Sequence, residues 1–164
     1  MGCFCFHMLY YALVMPVLVK NRKATFNYEV LEKFEAGIEL QGTEVKALRS
    51  GKGKLEGSHV VVRGGEAFLV GAQIPAFQPN NAPKGYEPER TRKLLLNRKE
   101  LNNMLGIETS KGLTLVPISL YTKGRKIKLE FASVRGKKKF DKREAIKKRE
   151  SKIKIDRIMK GRNR

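Results

Sequence analysis

The sequence is poor in the side chains from which most catalytic and metal sites are built. It contains two histidines, two cysteines, no tryptophan and only 16 aspartates and glutamates in 164 residues. The cysteines, Cys3 and Cys5, are spaced neither as a disulfide framework nor as a zinc site. No P-loop, G-x-S-x-G or H-E-x-x-H motif occurs. We therefore expect a protein that is not an enzyme and that binds no cofactor or metal.

The sequence also lacks an apolar run long enough to cross a membrane as a helix. From Cys3 to Val14 it is almost wholly apolar, but this stretch has 12 residues and a spanning helix needs about 20. No basic residue precedes Lys20, so a signal peptide is not indicated. Residues 1–19 are interpreted as an apolar leader that is not translated in full, with Met15 as the start. The alternative is a short anchor at a membrane interface.

Negative charge is scarce relative to positive charge. Lysine and arginine number 35, and the formal net charge is +19, which indicates a polyanionic partner such as nucleic acid. Residues 136–164 hold 14 basic and 4 acidic side chains, whereas residues 1–135 hold 21 and 12. The chain is therefore divided into a body, residues 20–135, and a basic tail, residues 136–164. Because like charges repel, the tail is predicted to be disordered when free and helical once a polyphosphate neutralises it.

Two β-hairpins are predicted in the body, each from two β-rich runs joined by a glycine-containing turn. Gly64-Gly65 supplies the first turn, and residues 122–125, which include Lys123, supply the second. Pro117, inside the second hairpin, indicates a sheet edge or a bulge. The paired runs are His59–Arg63 with Glu66–Ile74, and Leu113–Tyr121 with Lys126–Val134.

The rest of the body is predicted as one strand, two short helices and connecting segments. In chain order these are an irregular lead-in at 20–23, a strand within 26–41 bent near Gly37, a helix capped by Thr43, a proline-rich loop at 75–88, and a helix over 94–105. The pattern indicates a mainly β fold: an OB-type small β-barrel of about six strands with two or three short helices and a basic C-terminal tail. Such barrels are common platforms for nucleic acid.

Candidate RNA contacts follow from side-chain chemistry. Aromatic rings stack on unpaired bases, and basic groups bind phosphates. Arg90, Arg92 and Lys93 precede an apolar Leu94–Leu96 run and suit a phosphate-facing rim, although a solvated helix start explains them equally well. The aromatic candidates, for each of which packing in the barrel is the alternative, are Phe26, Tyr28, Tyr86 and Tyr121.

Several segments together resemble the small protein B family of SsrA-binding proteins. They occur in the family's order and cover about residues 20–164. Each is weakly specific by itself, and the set is highly specific. The segments are 21–24 (NRKA), 35–38 (EAGI), 42–49 (GTEVKALR), 51–52 (GK), 65–69 (GEAFL), 90–96 (RTRKLLL) and 136–143 (GKKKFDKR).

The resemblance implies an RNA-binding adaptor of trans-translation in the cytoplasm. Such a protein binds the tRNA-like domain of transfer-messenger RNA (SsrA RNA) and delivers it to stalled ribosomes. Its tail occupies the decoding region and the mRNA channel of the small subunit, so that the nascent peptide is tagged for degradation and the ribosome is released. The implied partners are transfer-messenger RNA, the ribosome with its rRNA and, through the RNA, elongation factor Tu. A monomer with no membrane association is expected.

The resemblance also implies site residues. Leu95 is expected to contact a looped-out base and Lys128 to bind phosphate, while Glu35 either accepts from a base edge or orders neighbouring basic groups. The full RNA-binding set is Asn21, Arg22, Lys23, Glu35, Arg90, Arg92, Lys93, Leu95 and Lys128. The ribosome-binding set comprises Gly136 at the tail's hinge, the lysines Lys137 and Lys138, Phe140 as a stacking residue, and the tagging motif Asp141, Lys142 and Arg143.

Three other interpretations are distinguishable by experiment. The first is a general OB-type RNA-binding protein without tagging activity. The second is a membrane-tethered basic protein, which only the apolar stretch favours. The third is an RNA-processing enzyme, for which no catalytic constellation is seen in the sequence.

Overall fold

The structure, a computed structural model, describes residues 16–79, 83, 85–108 and 112–137, together with six single positions of the tail. In these residues it contains seven strands and three helices. In chain order they are β1 (Val17–Lys20), α1 (Arg22–Asn27), β2 (Tyr28–Ile38), α2 (Gly42–Arg49), β3 (His59–Arg63), β4 (Glu66–Val70), β5 (Arg92–Leu95), α3 (Arg98–Glu108), β6 (Leu113–Lys123) and β7 (Lys126–Gly136). The described tail positions, 143, 150, 151, 154, 158 and 159, are helical.

Six of the strands close into a ring. The hydrogen-bonded order runs β6-β3-β4-β5-β2-β7, and β7 pairs again with β6. The seventh strand, β1, pairs with residues 119–121 of β6. All of these pairings are antiparallel. Closure pairs the backbone groups that an open sheet leaves at its edges. The predicted mainly β fold with a small β-barrel is therefore confirmed.

Strand β6 is buried on both faces, and this explains its sequence. Seven consecutive residues from Leu115 to Tyr121 are buried. One face packs into the barrel core with Leu129 and Phe131, and the other packs with Ala24 of α1. A strand covered on both sides has a continuous apolar run in place of an alternating one. The core is closed further by Leu48 of α2 and Met104 of α3.

Both predicted hairpins are confirmed. β3 and β4 pair in register from His59 to Val70 around Gly64 and Gly65, whose φ angles of 59° and 75° are those of a tight hairpin turn. β6 and β7 pair along their whole length, with a register shift just after Pro117. The bulge predicted at that proline is therefore present.

Local predictions were wrong at four places. Leu94 and Leu95 lie in β5, and the helix predicted over 94–105 starts only at Arg98. Residues 22–27 form α1, although the irregular lead-in was predicted to extend to 23 and the strand to lie within 26–41. The irregularity in β2 falls between Val30 and Glu32, well before Gly37. The helix expected to be capped by Thr43 has Gln41 as its N-cap.

Tertiary contacts account for these differences. β5 hydrogen-bonds to β4 on one side and β2 on the other, and this pairing overrides the helical preference of its leucines. The side chain of Asn21 accepts from the Ala24 N–H at 3.1 Å and so begins α1. In α2, the Glu44 carboxylate accepts from the Gln41 N–H at 2.8 Å.

The start of the sheet overlaps the segment assigned to the leader. β1 begins at Val17 and pairs with β6 through residues 119–121. The interpretation of residues 1–15 lies outside the described residues and stays a prediction. No helix in the described part of the chain is long and apolar enough to cross a membrane.

Candidate nucleic-acid interface

A surface cleft lies where β2, β5 and β7 meet the start of α3. Its volume is about 630 Å³, and its lining mixes lysines, carboxylates and leucines. We call it the Leu95 cleft. It is lined by Glu35, Gly37, Gly65, Glu66, Lys93, Leu94, Leu95, Leu96, Asn97, Glu100, Leu101 and Lys128. Four residues that the sequence proposed for RNA binding, Glu35, Lys93, Leu95 and Lys128, are thus brought together.

Leu95 is a large apolar side chain that the fold leaves in solvent. It is 58% exposed, whereas its neighbour Leu94 is buried in the barrel. Leu95 pairs across the strands with Gly37, and a Cβ at Gly37 would lie only 3.1 Å from the Leu95 Cβ. The glycine therefore lets β5 approach β2 closely beneath the leucine. An isolated exposed leucine is unremarkable, but one beside a lysine cleft suits an apolar contact to a base.

Glu35 is the common acceptor of a small polar cluster. Its carboxylate accepts hydrogen bonds from the Tyr121 hydroxyl and from Lys128 Nζ, and Lys123 Nζ lies 3.2 Å from Oε1. These residues come from β2, β6 and β7, which are adjacent on the barrel wall. The cluster joins the Leu95 cleft to a second one of about 380 Å³, the Phe34 cleft, lined by Val17, Lys33, Phe34, Glu35, Ser119, Tyr121 and Glu130.

The cluster fixes the protonation states of its members. The hydrogen bond from Lys128, followed by that from Tyr121, lowers the pKa of Glu35 from 4.5 to about 2. Burial, and then the hydrogen bond to Glu35, raises the pKa of Tyr121 above its ordinary value. At neutral pH Glu35 is therefore an ionised acceptor and Tyr121 a protonated donor.

Lys93 stands on the opposite wall of the Leu95 cleft and is paired with an acid of its own. Its Nζ lies 2.5 Å from Glu66 Oε1, and both side chains are partly exposed. The cleft therefore presents lysines that each already contact a carboxylate. A phosphate approaching Lys93 meets this competing negative charge.

Arg90 and Arg92, expected on a phosphate-facing rim, belong instead to a buried network around Glu44. Arg92 is fully buried, and its Nε and Nη2 donate to Glu44 Oε1 at 3.0 and 2.8 Å. Its remaining donors bind the carbonyls of Ala72, Pro88 and Arg90 at 2.6, 2.8 and 3.0 Å. Arg90, which is partly exposed, contacts Glu44 through Nε and Nη2 at 2.9 and 2.6 Å.

This network ties the proline-rich loop to α2. Burial by itself would raise the pKa of Glu44, but the hydrogen bonds from Arg90, from the Gln41 N–H and from Arg92 outweigh it and lower the pKa. The Tyr86 hydroxyl donates to the Ile74 carbonyl at 2.6 Å in the same region. The structure therefore gives Arg92 a structural environment and offers RNA only the partly exposed side of Arg90.

Asn21, Arg22 and Lys23 lie away from the Leu95 cleft. Asn21 is buried, and its Nδ2 donates to the carbonyls of Leu55 and Pro117 at 3.0 Å each. Arg22 and Lys23 are exposed on α1, which precedes the first residue of β2. Glu35 lies seven positions further along the strand, about 23 Å away at about 3.3 Å per residue. The proposed RNA-binding residues therefore divide between two surfaces.

The start of the tail lies beside α1. Gly136 ends β7, the Lys137 N–H donates to the Asn27 carbonyl at 3.0 Å, and Lys137 Nζ donates to the Thr25 carbonyl at 3.1 Å. Arg143 is helical and exposed. The predictions for Lys138, Phe140, Asp141 and Lys142 lie outside the described residues.

Sequence reasoning missed two members of the Glu35 cluster. Tyr121 entered only as a general aromatic candidate, and Lys123 only as a turn residue. The predicted turn at 122–125 would set Tyr121 opposite Lys126, whereas the observed turn at Gly124-Arg125 sets it opposite Lys128, so the sequence prediction did not find this pair. The other aromatic candidates, Phe26, Tyr28 and Tyr86, line neither cleft. In the described part of the chain, no group of three or more His, Cys, Asp or Glu side chains could hold a metal ion.

Comparison with known proteins decides the family. A family model described as SmpB protein matches residues 18–161. The chain belongs to the SmpB family. An SmpB relative from Gloeobacter violaceus, named SsrA-binding protein, is 47% identical over 144 residues, which are 88% of this chain and 94% of the relative. The SsrA-binding protein of Magnetococcus marinus is 45% identical over 148 residues, 90% of this chain and 98% of the relative.

A solved SmpB structure matches the fold. It is described as "tmRNA-SmpB: a journey to the center of the bacterial ribosome" and is 42% identical in sequence. The match has a TM-score of 0.64 and covers 80% of this chain and 94% of the solved chain. The family resemblance noted in the sequence is therefore confirmed over nearly the whole length of these relatives.

Proposed function

We propose that this chain is an RNA-binding adaptor of trans-translation. It binds the tRNA-like domain of transfer-messenger RNA and delivers this RNA to stalled ribosomes, where the nascent peptide is tagged for degradation and the ribosome is released. Support comes from membership of the SmpB family, from relatives named SsrA-binding protein, and from the solved relative described with tmRNA and the ribosome.

The observation that carries the proposal is the composition of the Leu95 cleft. An exposed leucine, two lysines and an ionised glutamate converge there from three strands. Lysines supply attraction to phosphate, and an apolar side chain offers contact to an unstacked base.

The tail is assigned to the ribosome, while Arg22 and Lys23 keep their proposed role in RNA binding on the second surface. Lys137, the first residue after β7, donates to the Thr25 carbonyl of α1, so the tail begins next to the helix that carries Arg22 and Lys23. We place the tail in the decoding region and mRNA channel, with Phe140 stacking near the decoding centre. The motif Asp141, Lys142 and Arg143 then supports tagging. Elongation factor Tu is reached through the RNA, and the protein acts as a monomer in the cytoplasm.

Binding of two RNAs tests the first part of the proposal. The full chain is titrated against the tRNA-like domain of transfer-messenger RNA and against an ordinary tRNA, at two salt concentrations, because affinity for RNA depends on salt. We expect tighter binding of the transfer-messenger fragment, and a preference that persists at the higher salt. Equal and steeply salt-dependent binding of both RNAs would reduce the chain to a general basic RNA-binding protein.

Matched variants test the cleft. Leu95→Ala is expected to weaken fragment binding about tenfold with an unchanged salt slope, since about 1.4 kcal/mol of apolar contact is lost. Lys128→Ala is expected to weaken it and to lower the salt slope by about one. The controls are Leu31→Ala, at an exposed leucine in the β2 bulge, and Lys54→Ala, at an exposed lysine that lines neither cleft. Equal effects of variant and control would remove the cleft from the proposal.

The tail is tested by separating binding from tagging. A chain ending at Lys137 and the variant Asp141→Ala are expected to retain the preference for the transfer-messenger fragment. Both are expected to fail in a reconstituted assay that measures tagged peptide on stalled ribosomes. Tagging at the normal level by the truncated chain would refute the role given to the tail.

A further inference from the structure

Glu35 stands between two clefts and contacts two lysines at once. It lines both the Leu95 cleft and the Phe34 cleft. Its Oε1 accepts a hydrogen bond from Lys128 Nζ and lies 3.2 Å from Lys123 Nζ. Two ammonium groups on one oxygen are held close together, although their like charges would otherwise drive them apart.

Tyr121 holds this carboxylate in place. Its hydroxyl donates to Glu35 Oε2, the oxygen opposite the one that Lys128 contacts. Tyr121 is only 8% exposed, and its strand position is fixed by pairing with Val17 on one side and Lys128 on the other. A packed ring presents its hydroxyl in one direction, which keeps the carboxylate from rotating away from the lysines.

Both oxygens of Glu35 are therefore engaged before any RNA arrives. A base edge that donated to Glu35 directly would have to displace Tyr121 or Lys128 from an ionised carboxylate. Such charge-assisted hydrogen bonds are roughly twice as strong as neutral ones. An ammonium, by contrast, has three N–H donors, so each lysine keeps donors for a phosphate oxygen while it contacts Glu35.

We propose that Glu35 acts on RNA through Lys123 and Lys128, with Tyr121 as a positioning residue and Lys123 as a second phosphate-binding residue. This inference rests on the proposed function and names further residues of the same site. The paired ammonium groups present two positive charges at the boundary of the two clefts. The RNA backbone then runs along this boundary, where its phosphates contact both Lys123 and Lys128.

Salt dependence separates the two new roles. The full chain is titrated with the labelled tRNA-like fragment over a series of salt concentrations. Lys123→Ala is expected to weaken binding about fivefold and to lower the slope of log K against log salt by about 0.7 to 0.9, the loss of one phosphate contact. Tyr121→Phe is expected to weaken binding about fivefold with the slope unchanged, because both lysines remain but are less well placed.

Matched controls guard against a general loss of folding. Tyr86→Phe also removes a hydroxyl that contacts a glutamate, Glu44, but it lies outside both clefts. Lys54→Ala removes an exposed lysine elsewhere. Both controls are expected to bind the fragment as the unaltered chain does, with thermal melting showing each variant folded. Controls that weaken binding as much as Tyr121→Phe and Lys123→Ala would overturn the assignment.

A double-mutant cycle tests whether Glu35 acts through the lysines. Glu35→Gln is made in the unaltered chain and in a chain that already carries Lys123→Ala and Lys128→Ala. The proposal expects a clear loss of affinity in the first background and almost none in the second. An equal loss in both backgrounds would mean that Glu35 touches the RNA itself, and the inference would fail.

The same titrations keep this inference apart from the proposed function. A missing preference for the transfer-messenger fragment over ordinary tRNA counts against the function alone. The coupling of Glu35 to the two lysines is measured on whichever RNA binds. A retained preference without that coupling counts against the inference alone.

Discussion

Because of its burial, one ion pair of this protein should contribute far more to the free energy of unfolding than another with a similar N–O distance. Glu44 and Arg92 are both fully buried, and Arg92 Nη2 lies 2.8 Å from Glu44 Oε1. Lys23 and Glu56 are joined at 2.5 Å, but their side chains are 67% and 46% exposed. We therefore compare Glu44→Gln with Glu56→Gln, two substitutions that each remove one negative charge.

The structure sets the expected size of each effect. Glu44→Gln keeps the side-chain shape but leaves the Arg92 guanidinium in the interior without a counter-charge, and removing one partner of a buried pair costs about 3–5 kcal/mol. For a chain of this length, that free-energy change lowers Tm by about 10 °C. Glu56→Gln breaks a solvent-screened pair and is expected to cost less than about 1 kcal/mol.

Urea unfolding followed by circular dichroism gives both free energies, with thermal melting as a second measurement. A further variant sharpens the test. Arg92→Met added to Glu44→Gln removes the orphaned charge, so the double variant is expected to be less destabilised than the sum of the two single variants. Equal costs for Glu44→Gln and Glu56→Gln, or strict additivity in the double variant, would refute the view that desolvation governs this site.

Three other predictions concern the cleft. Gly37→Ala places a Cβ 3.1 Å from the Leu95 Cβ and is expected to weaken binding of the RNA fragment several-fold in a titration. The control Gly42→Ala has no atom within 4 Å of its Cβ position and is expected to leave binding unchanged. A larger effect of Gly42→Ala than of Gly37→Ala would contradict the packing argument. Because the pKa of Glu35 is lowered from 4.5 to about 2, its ion pairs stabilise the fold fully above pH 4.5 and lose this effect as pH falls through about 2. Urea unfolding should therefore show that Glu35→Gln destabilises the protein at pH 7 and has little effect near pH 2, and a pH-independent difference would count against it. Glu66→Gln removes the carboxylate that is paired with Lys93. Filter binding should then show tighter binding of ordinary tRNA, a steeper salt slope and a smaller preference for the transfer-messenger fragment. An unchanged salt slope would exclude competition between Glu66 and phosphate for Lys93.

The sequence was informative where local chemistry decides the structure. Gly64-Gly65 between β-branched runs predicts a hairpin because only such a turn reverses two adjacent strands within two residues. Pro117 predicts a bulge because it cannot donate a ladder hydrogen bond. The continuous burial of β6 was not predictable in the same way, because its outer face is covered by α1, and α1 is capped by a buried asparagine that contacts residues 34 and 96 positions away.

Long-range contacts decided what the sequence left open. Leu94 and Leu95 favour a helix locally, but two neighbouring strands take them into the barrel. Arg92 lies in a basic segment of the kind that binds phosphates. Nothing near it in sequence shows that its guanidinium hydrogen-bonds to Glu44, 48 positions earlier. Glu35, Leu95 and Lys128 were named by family resemblance, and the sequence contained no spacing from which their common cleft could be derived.

From the placement of acids we expect the affinity and the selectivity of RNA binding to come from different parts of the chain. Three lysines of the cleft region, Lys93, Lys123 and Lys128, are matched by two carboxylates, Glu35 and Glu66, so the interface has little free charge. The tail, with 14 basic and 4 acidic residues, holds more than half of the net charge of +19. Since non-specific attraction to RNA grows with the number of phosphates neutralised, we expect the tail to supply a large share of it. A nearly neutral cleft binds well only when shape, an unstacked base and phosphate positions all fit, which is how a strongly basic protein can still prefer one RNA.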